Sequence, residues 1–570
     1  MAEEVWMLQT KKADFKQIGA RFRIDPVTAR IIRNRGIEGE AAIDRYLNGT
    51  LDDLYDPMLL KDMECAVSIL CEAVDTGKKI RIVGDYDIDG VCSTYILLQA
   101  FERLGSDVDF EIPDRIKDGY GINESIIEQA HADGVEVILT CDNGISAFHQ
   151  VELAKKYGMT VVITDHHEVP LDGEKEKIPP ADAVIDPKQA DCPYPFPEIC
   201  GAVVAYKLVQ VLYARRGVPQ MEWLDLLEFA AIATVGDVMK LQDENRILVK
   251  YGLKKMAQTK NLGLRRLAEK NNLDLGAITA YHIGFVIGPC LNAGGRLKTA
   301  KEALALLRAQ SEEEAERLAE ELKELNDTRK DMTEQGTEAA KLQVESWYQK
   351  DKVLVVFLPE CHESLAGIIA GRLREYYQKP AIVLTRGEEA VKGSGRSIDE
   401  YHMFKKLTEV SDLLLKFGGH PLAAGLSLEE ENIDEFRRRL NENAGLTEED
   451  FKAKVWIDVP MPVGYVTERL VRELSCLEPF GQGNEKPLFA EKSLRIRASR
   501  VLGRNRNVVK MTLEETDGHA IEALYFGDGT AFEEERAGRR EIDVVYYPDI
   551  NEYNGRKTLQ AVIRRYKFRG

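Results

Sequence analysis

The stretch Ile80-Arg-Ile-Val-Gly-Asp-Tyr-Asp-Ile-Asp-Gly90 passes from a short β-rich run into a turn that carries three aspartates. Three later runs repeat this arrangement, with helical stretches between them. They are Val135–Thr140 before Asp142, Met159–Thr164 before Asp165, His166 and His167, and Ala183–Ile185 before Asp186. Apolar runs that alternate with helical stretches predict βαβ units, and therefore a parallel sheet with helices on both faces.

The polar residues that follow these runs are expected to meet. In an open α/β sheet the ligand crevice lies beyond the carboxyl ends of the strands. The turn with Asp85, Asp87 and Asp89 alone is also compatible with an Asx-rich loop that only solvates a strand end. The addition of Asp142 and the two histidines at the same edge favours a functional site.

This predicted site has the composition of a metal centre. Its residues are Asp85, Asp87, Asp89, Asp142, Asp165, His166, His167 and Asp237. Converging carboxylates repel one another unless cations neutralise them. A mixture of oxygen and imidazole ligands favours Mn²⁺ or Mg²⁺ over zinc. There are enough ligands for two ions about 3.5–4 Å apart, the arrangement used for in-line attack on phosphorus.

Composition excludes several classes of protein. The 570 residues are 44% hydrophobic and 30% charged, which is typical of a folded chain of three or four domains. No apolar run approaches the length of a membrane span. The nine cysteines are scattered without a Cys-x-x-Cys pair, so we expect a reducing, cytoplasmic location. A net charge of −19 argues against a general nucleic-acid binder but leaves room for one basic channel.

The chain beyond the first sheet predicts three further parts. Residues 301–350 lack proline and alternate apolar with charged residues, which predicts a long connecting helix. A second α/β unit opens at Lys352 and contains Gly393-Ser-Gly-Arg-Ser397 and Phe417-Gly-Gly-His420. From Val455 onward, short strands, glycine turns and basic residues interleaved with Tyr566 and Phe568 indicate an OB-type barrel that binds single strands.

The ordered set of motifs resembles the DHH phosphoesterases and, within them, the RecJ family of single-strand-specific 5′ exonucleases. The motifs are Gly84–Gly90, Thr140–Asp142, Asp165–His167, Asp237, Asn292–Arg296, Gly393–Ser397, Phe417–His420 and Glu478–Pro487. The resemblance covers essentially the whole chain. It implies an α/β multidomain fold: a DHH domain with an N-terminal helical extension (1–300), a connecting helix (301–350), a DHH-associated domain (351–454) and an OB-type β-barrel (455–570).

The resemblance also implies roles for individual residues. Asp85, Asp87, Asp142, His166 and Asp237 would hold two divalent ions, Mn²⁺ or Mg²⁺, with Asp89 supporting them directly or through a neighbour. His167 would face the scissile phosphate. The substrate-binding residues would be Arg115, Ser394 and Arg396 at the 5′-terminal phosphate and Asn292, Arg296 and His420 along the strand. The implied reaction hydrolyses single-stranded DNA from its 5′ end to 5′-mononucleotides, in repair and recombination.

The sequence departs from the family pattern at a few positions. Cys290 stands where arginine is usual, and Gly294, Gly395 and Gly236 replace alanines. Cys361 stands where tryptophan is usual. None of these changes removes a predicted metal ligand, but the change at Cys290 puts the contacts with the strand in doubt.

The sequence is compatible with two other functions. A DHH phosphoesterase that acts on short oligonucleotides, cyclic dinucleotides or polyphosphate would share the first two domains without needing a basic barrel. A noncatalytic DNA-binding scaffold of the same superfamily would have eroded metal motifs, whereas every acid and both histidines are present here. The resemblance further implies single-strand-binding protein and a RecQ-type helicase as partners. We expect a monomer that does not associate with membranes.

Overall fold

The computed structural model describes residues 4–115, 117, 119–553 and 555–569. The chain divides into two compact units. The first contains residues 55–237 and 252–453, and the second contains residues 6–54, 238–251 and 454–570, with residues 1–5 grouped with the first. In the described part of the chain, no helix is both long and apolar enough to cross a membrane.

The first unit begins with a five-stranded, fully parallel sheet. Its strands lie in the order Val108–Glu111, Ile80–Val83, Val137–Cys141, Thr160–Thr164 and Ala183–Ile185. Helices that connect or cover these strands are Met63–Thr76, Ile88–Arg103, Glu124–Ala132, Phe148–Lys156, Gly201–Arg215, Gln220–Leu224 and Leu227–Gly236. The central strands are buried throughout because helices cover both faces. The predicted parallel sheet is therefore confirmed.

A helical region follows the parallel sheet. Its helices are Asp243–Met256, Leu262–Lys270, Ala280–His282, Gly288–Leu297, Lys301–Arg308 and Glu312–Gln343, with π-helical turns at Ile283–Ile287 and Val344–Tyr348. The prediction of one helix over residues 301–350 is wrong in detail. The helix breaks after Arg308, and the side chain of Ser311 caps a new helix by accepting a hydrogen bond from the Glu314 amide.

A second, mixed sheet completes the first unit. Its strands lie in the order Leu414–Gly419, Ala423–Leu428, Val391–Arg396, Ala381–Arg386 and Leu354–Phe357. Only the last two are parallel to each other. Helices Ala366–Tyr377, Met403–Thr408 and Ile433–Glu442 accompany this sheet. Two separate apolar clusters, one around Phe436 and one around Ile369, form its core.

The second unit is built on a closed barrel. Its strands follow the order Val459–Pro460, Phe489–Leu502, Val508–Glu514, Ala520–Phe526, Arg556–Phe568 and Glu541–Tyr553. The long strand Phe489–Leu502 also pairs with Glu541–Tyr553, and this pairing closes the sheet on itself. Helices Glu468–Leu474 and Gly529–Arg536 accompany the barrel. The predicted C-terminal barrel is confirmed.

The N-terminal helices belong to this second unit and not, as predicted, to the DHH domain. They are Phe15–Phe22, Pro26–Asn34 and Glu40–Asn48. The physical reason is that Ile31, Ile32 and Ile43 are buried in the same apolar core as barrel residues such as Phe489. A pairing of strand Glu4–Leu8 with Ala453–Ile457 precedes these helices.

Candidate metal centre and phosphate pocket

The aspartate-rich turn after strand Ile80–Val83 is held in shape by two glycines. A Cβ atom at Gly84 would lie 2.0 Å from Thr94 Oγ1, and one at Gly90 would lie 2.4 Å from the Asp85 carbonyl oxygen. The Asp87 side chain caps helix Ile88–Arg103 by accepting hydrogen bonds from the amides of Asp89 and Gly90. The turn must therefore fold back tightly on the helix, which brings its carboxylates to the sheet edge.

The structure brings the predicted metal-site residues together in three overlapping groups. They are Asp85, Asp87 and Asp142; Asp89, His166 and Asp237; and Asp142, His166 and His167. Within each group, one potential ligand atom per residue lies within 4.8 Å of the others. His166 Nε2 lies 3.1 Å from Asp142 Oδ1 and 3.8 Å from Asp237 Oδ2. These side chains come from three strand ends and one helix end.

The electrostatics of this cluster fit divalent cations. Burial, reinforced by the neighbouring carboxylates, raises the pKa values of Asp85, Asp87 and Asp142, and raises the pKa of Asp237 to about 8. So many buried acids of like charge are held ionised only if positive charge lies between them. The oxygen and imidazole donors fit Mn²⁺ or Mg²⁺.

Asp142 and Asp89 occupy positions with strong backbone constraints. Asp142 has a φ of +60°, and a Cβ on the neighbouring Gly201 would lie 2.7 Å from the Asp142 Cβ. The Asp89 carboxylate accepts hydrogen bonds from the amides of Gly201 (2.6 Å) and Ala202 (2.8 Å), while Oδ2 lies 3.5 Å from His166 Nε2. Asp89 therefore secures the start of helix Gly201–Arg215 and also borders the cluster.

The two histidines have different surroundings. His166 is buried, and its burial lowers its pKa. The His167 side chain is 44% exposed, so it reaches the open side of the cluster. Burial opposes protonation of His167, but the hydrogen bond and charge of Asp165 outweigh it and raise the pKa to about 9.

Tyr120 is a site residue that the sequence analysis missed. Its hydroxyl donates to the Asp142 carbonyl oxygen at 2.7 Å and lies 3.0 Å from His167 Nδ1. Burial and the surrounding aspartates raise its pKa. Its signal in the sequence was weak, because Tyr120 does not follow directly after one of the buried strands whose ends marked the other site residues.

A cationic cavity of about 540 Å³ lies in the same unit. Its lining includes Tyr86, Arg115, Arg296, Ser394 and Arg396. The Arg115 guanidinium lies 4.8 Å from the centre of the Tyr86 ring. Burial and the charges of Arg115 and other arginines lower the pKa of Arg296 to about 10. Cations crowded together in this way favour the binding of an anion such as a phosphate, so we name this cavity the phosphate pocket.

The Gly393–Ser397 motif lies mostly in strand Val391–Arg396, and it presents two of these groups. Arg396 donates from Nη1 to Ser394 Oγ (3.2 Å) and to the Gly395 carbonyl oxygen (2.8 Å). A Cβ on Gly367 would lie 2.9 Å from both Ser394 Oγ and Arg396 Nη2. A side chain at position 367 would therefore push Ser394 and Arg396 out of their present positions in the pocket.

The predicted substrate-binding residues Asn292 and His420 lie in different surroundings. Asn292 lines a smaller cavity of about 110 Å³ that it shares with Arg296. His420 is exposed after strand Leu414–Gly419 and lines neither cavity. The pKa of Glu168 is lowered first by Lys188 and to a smaller extent by the charge of His420.

Cys290 does not lie on the cavity wall. It is fully buried, and its Sγ lies 3.4 Å from Asn326 Nδ2 and 3.7 Å from Asn271 Nδ2. Its side chain therefore faces the interior between helices. The departure at this position leaves the lining of both cavities as described.

Comparison with known proteins agrees with this architecture. The DHH family N-terminal domain matches residues 79–234, the DHHA1 domain 350–445 and the RecJ OB domain 457–565. The single-stranded-DNA-specific exonuclease RecJ of Bacillus subtilis is 36% identical over 98% of this chain and 70% of its own length. The chain belongs to the RecJ family.

Other RecJ proteins support the same assignment. RecJ of Escherichia coli is 34% identical over 95% of both chains. The crystal structure of Thermus thermophilus RecJ with Mn²⁺ superposes with a TM-score of 0.84 at 28% identity, covering 99% of this chain and 80% of that one. The Mg²⁺ complex from the same organism gives a TM-score of 0.78. The predicted family, fold class and divalent cofactors are therefore confirmed.

Proposed function

We propose that this RecJ family member is a metal-dependent exonuclease that removes 5′-mononucleotides from single-stranded DNA. The observation that carries this proposal is the position of Tyr86. Its ring lines the cationic cavity, while the adjacent Asp85 and Asp87 belong to the metal cluster. A terminal phosphate in the cavity would thus lie close to the cluster, as the removal of one nucleotide at a time requires.

We assign the residues of the cluster as follows. Asp85, Asp87 and Asp142 would hold one cation, and Asp142, His166 and Asp237, bordered by Asp89, the other. When bound, these cations would neutralise the carboxylates and make a coordinating water acidic enough to attack phosphorus at neutral pH. In this hydrolysis the oxygen of a water molecule would form a bond to the first internucleotide phosphorus. The bond from that phosphorus to the 3′-oxygen of the terminal nucleotide would break, and the water proton would pass to that oxygen.

Other residues would orient the substrate. Arg115, Ser394 and Arg396 would bind the 5′-terminal phosphate through charge-assisted hydrogen bonds, which are stronger than neutral ones. His167, held in place by its contact with Asp165, would contact the scissile phosphate. Asn292, Arg296 and His420 would contact the strand near the cut.

A panel of substrates tests the proposal against the alternative of a small-substrate phosphoesterase. With Mn²⁺, the enzyme should shorten a single-stranded 5′-phosphorylated oligonucleotide faster than the matching duplex, a cyclic dinucleotide or polyphosphate. A charge-reversed barrel, Arg495→Glu/Arg500→Glu at two exposed positions, separates the two, because an enzyme for small substrates would keep its activity without the basic barrel surface. Preference for the cyclic dinucleotide over the oligonucleotide would reject the exonuclease function.

We also propose, from the family resemblance, that the protein is a cytoplasmic monomer. Light scattering of the purified chain would test the oligomeric state. Single-strand-binding protein and a RecQ-type helicase are the proposed partners, and stimulation of DNA degradation by each purified protein would test them. No stimulation by either would reject these partners.

A further inference from the structure

One continuous helical segment borders the small cavity next to the metal cluster. It comprises helix Ala280–His282, the π-helical turn Ile283–Ile287 and helix Gly288–Leu297. Gly284, Gly288, Asn292 and Arg296 follow one another at intervals of four residues, and all line the cavity of about 110 Å³. Residues at this spacing share one face of a helix. The segment therefore presents a single face along the cavity.

This cavity adjoins the rest of the site at two places. Arg296 lines both this cavity and the phosphate pocket, and Gly236, the residue before Asp237, lines its wall. A Cβ on Gly236 would lie 2.6 Å from Ile88 Cγ2. Because Gly236, Gly284 and Gly288 have no side chains, the cavity stays open along this wall. A strand leaving the metal cluster could therefore follow this face of the helical segment.

The charge along this face suits a phosphodiester backbone. Arg329, from helix Glu312–Gln343, lines the cavity together with Arg296. Burial and the charge of Arg372 lower the pKa of Arg329. Asn292 Oδ1 is buried and makes no hydrogen bond within the part of the chain that is described. Two cations thus face the narrow cavity and can bind phosphate oxygens, whereas the Asn292 amide oxygen can only accept a hydrogen bond, as from a base N–H group.

Two exposed aromatic rings lie at the other end of the segment. Tyr281 and Phe285 are 63% and 68% exposed, and their rings stack with centroids 4.7 Å apart at an interplanar angle of 27°. Two large rings left in water forgo the stabilisation that burial would give. Exposed aromatic rings at one end of a groove lined by cations are a pattern with which proteins hold single-stranded nucleic acid.

We infer that Tyr281 and Phe285 form a base-stacking platform for nucleotides on the 3′ side of the cut. This inference rests on the proposed function and deepens it. At 1.5 Å per residue, Phe285 lies roughly 16 Å and Tyr281 roughly 22 Å along the segment from Arg296. The platform would therefore hold bases several nucleotides from the terminal phosphate, while Arg296 and Arg329 contact the backbone between.

The platform makes binding depend on substrate length. A substrate long enough to reach it gains stacking on Tyr281 and Phe285, whereas a dinucleotide bound at the phosphate pocket does not. Stacking is sequence-tolerant because every base offers a π-face. The site would therefore hold any sequence during successive cleavages.

The test compares Tyr281→Ala/Phe285→Ala with the wild-type enzyme on a long 5′-phosphorylated single strand and on a dinucleotide. We expect KM for the long strand to rise about tenfold or more, as loss of a base-stacking ring does, with kcat little changed. Hydrolysis of the dinucleotide should stay the same. Tyr281→Phe and Phe285→Tyr should retain wild-type KM. Trp347→Ala is the matched control, because Trp347 is also 69% exposed but lies in the turn Val344–Tyr348, outside this helical segment.

A second experiment needs no variant. It uses a series of single strands that each carry one abasic nucleotide, placed one position further from the 5′ end in each strand. The wild-type KM should rise only when the abasic position falls on the platform, and the double variant should lose this position dependence. An unchanged KM for the double variant, an equal loss on the dinucleotide, or a flat scan with wild-type enzyme would overturn the inference. If wild-type enzyme degrades no single strand at all, the proposed function fails instead.

Discussion

His167 Nδ1 lies 2.8 Å from Asp165 Oδ1, and this carboxylate is otherwise saturated by backbone amides. Oδ1 also accepts from the His166 amide at 2.7 Å, and Oδ2 accepts from the Ile145 amide at 2.9 Å. Asp165 is fully buried and absent from the three groups that could hold a metal. It is therefore a positioning residue that orients the His167 ring and holds the backbone of His166.

Replacement of Asp165 should impair catalysis more than substrate binding. Asp165→Asn keeps the shape but removes the charge that faces His167. Loss of such a supporting partner typically lowers activity roughly 10- to 100-fold. We expect kcat on single-stranded DNA to fall by this factor with KM nearly unchanged, as measured by steady-state kinetics. A variant with wild-type kcat would show that Asp165 does not act through His167.

The phosphate pocket predicts a dependence on the state of the 5′ end. Arg396→Ala removes a cation from the pocket, and hydrogen bonds to charged groups contribute about 1.5–3 kcal/mol. KM for a 5′-phosphorylated strand should rise at least tenfold, whereas KM for a 5′-hydroxyl strand should barely change. Arg386→Ala is the control, since Arg386 is exposed and pairs with Glu430. Equal effects on both strands would contradict the assigned role of Arg396.

Metal binding should stabilise the first unit. Ligands that bind only the folded state raise its stability by mass action. Addition of Mn²⁺ to chelator-treated protein should therefore raise the thermal midpoint in a concentration-dependent way. Asp142→Ala should abolish most of this rise, because Asp142 belongs to two of the three metal-binding groups. Asp107→Ala, at an exposed position, should leave it intact. A rise of normal size in Asp142→Ala would place the metal elsewhere.

Glu228 predicts a pH dependence of stability away from the metal cluster. Burial raises its pKa to about 7, while Thr259 Oγ1 donates to its Oε1 at 2.7 Å. Because the folded-state pKa lies above the unfolded value, the stability that Glu228 contributes is fully present below pH 4.5 and is lost as pH rises through 7. The loss is about 3 kcal/mol.

Glu228→Gln cannot ionise and should escape this loss. Its thermal midpoint should exceed that of the wild type at pH 8.5, and the difference should shrink toward pH 5. Glu136→Gln, at an exposed position, serves as the control. A difference independent of pH would mean that Glu228 is not the titrating group.

The strand-end acids could be predicted from sequence because a parallel sheet gathers the carboxyl ends of its strands at one edge. That topological rule alone predicts that Asp85, Asp142 and His166 lie close together. Tyr120 could not be found in the same way, because its contact with His167 depends on how an irregular loop folds back over the edge.

Packing between segments distant in sequence was also beyond prediction. The N-terminal helices carry a generic amphipathic pattern, and nothing in it shows that Ile31 and Ile43 would be buried with barrel residues more than 400 positions away. The break after Arg308 depends on a local cap by Ser311, which competes with an otherwise continuous helical pattern. Residue types therefore predicted the chemistry of the site well, but they did not predict which segments each helix packs against.

The most direct test of the central claim uses a single strand labelled at either its 5′ or its 3′ end. With Mn²⁺, the 5′ label should appear at once as mononucleotide, while the 3′ label should stay in progressively shorter strands. EDTA and Asp142→Ala should each abolish release. Early release of the 3′ label as mononucleotide, or undiminished cleavage by Asp142→Ala, would contradict a 5′ exonuclease that depends on this metal centre.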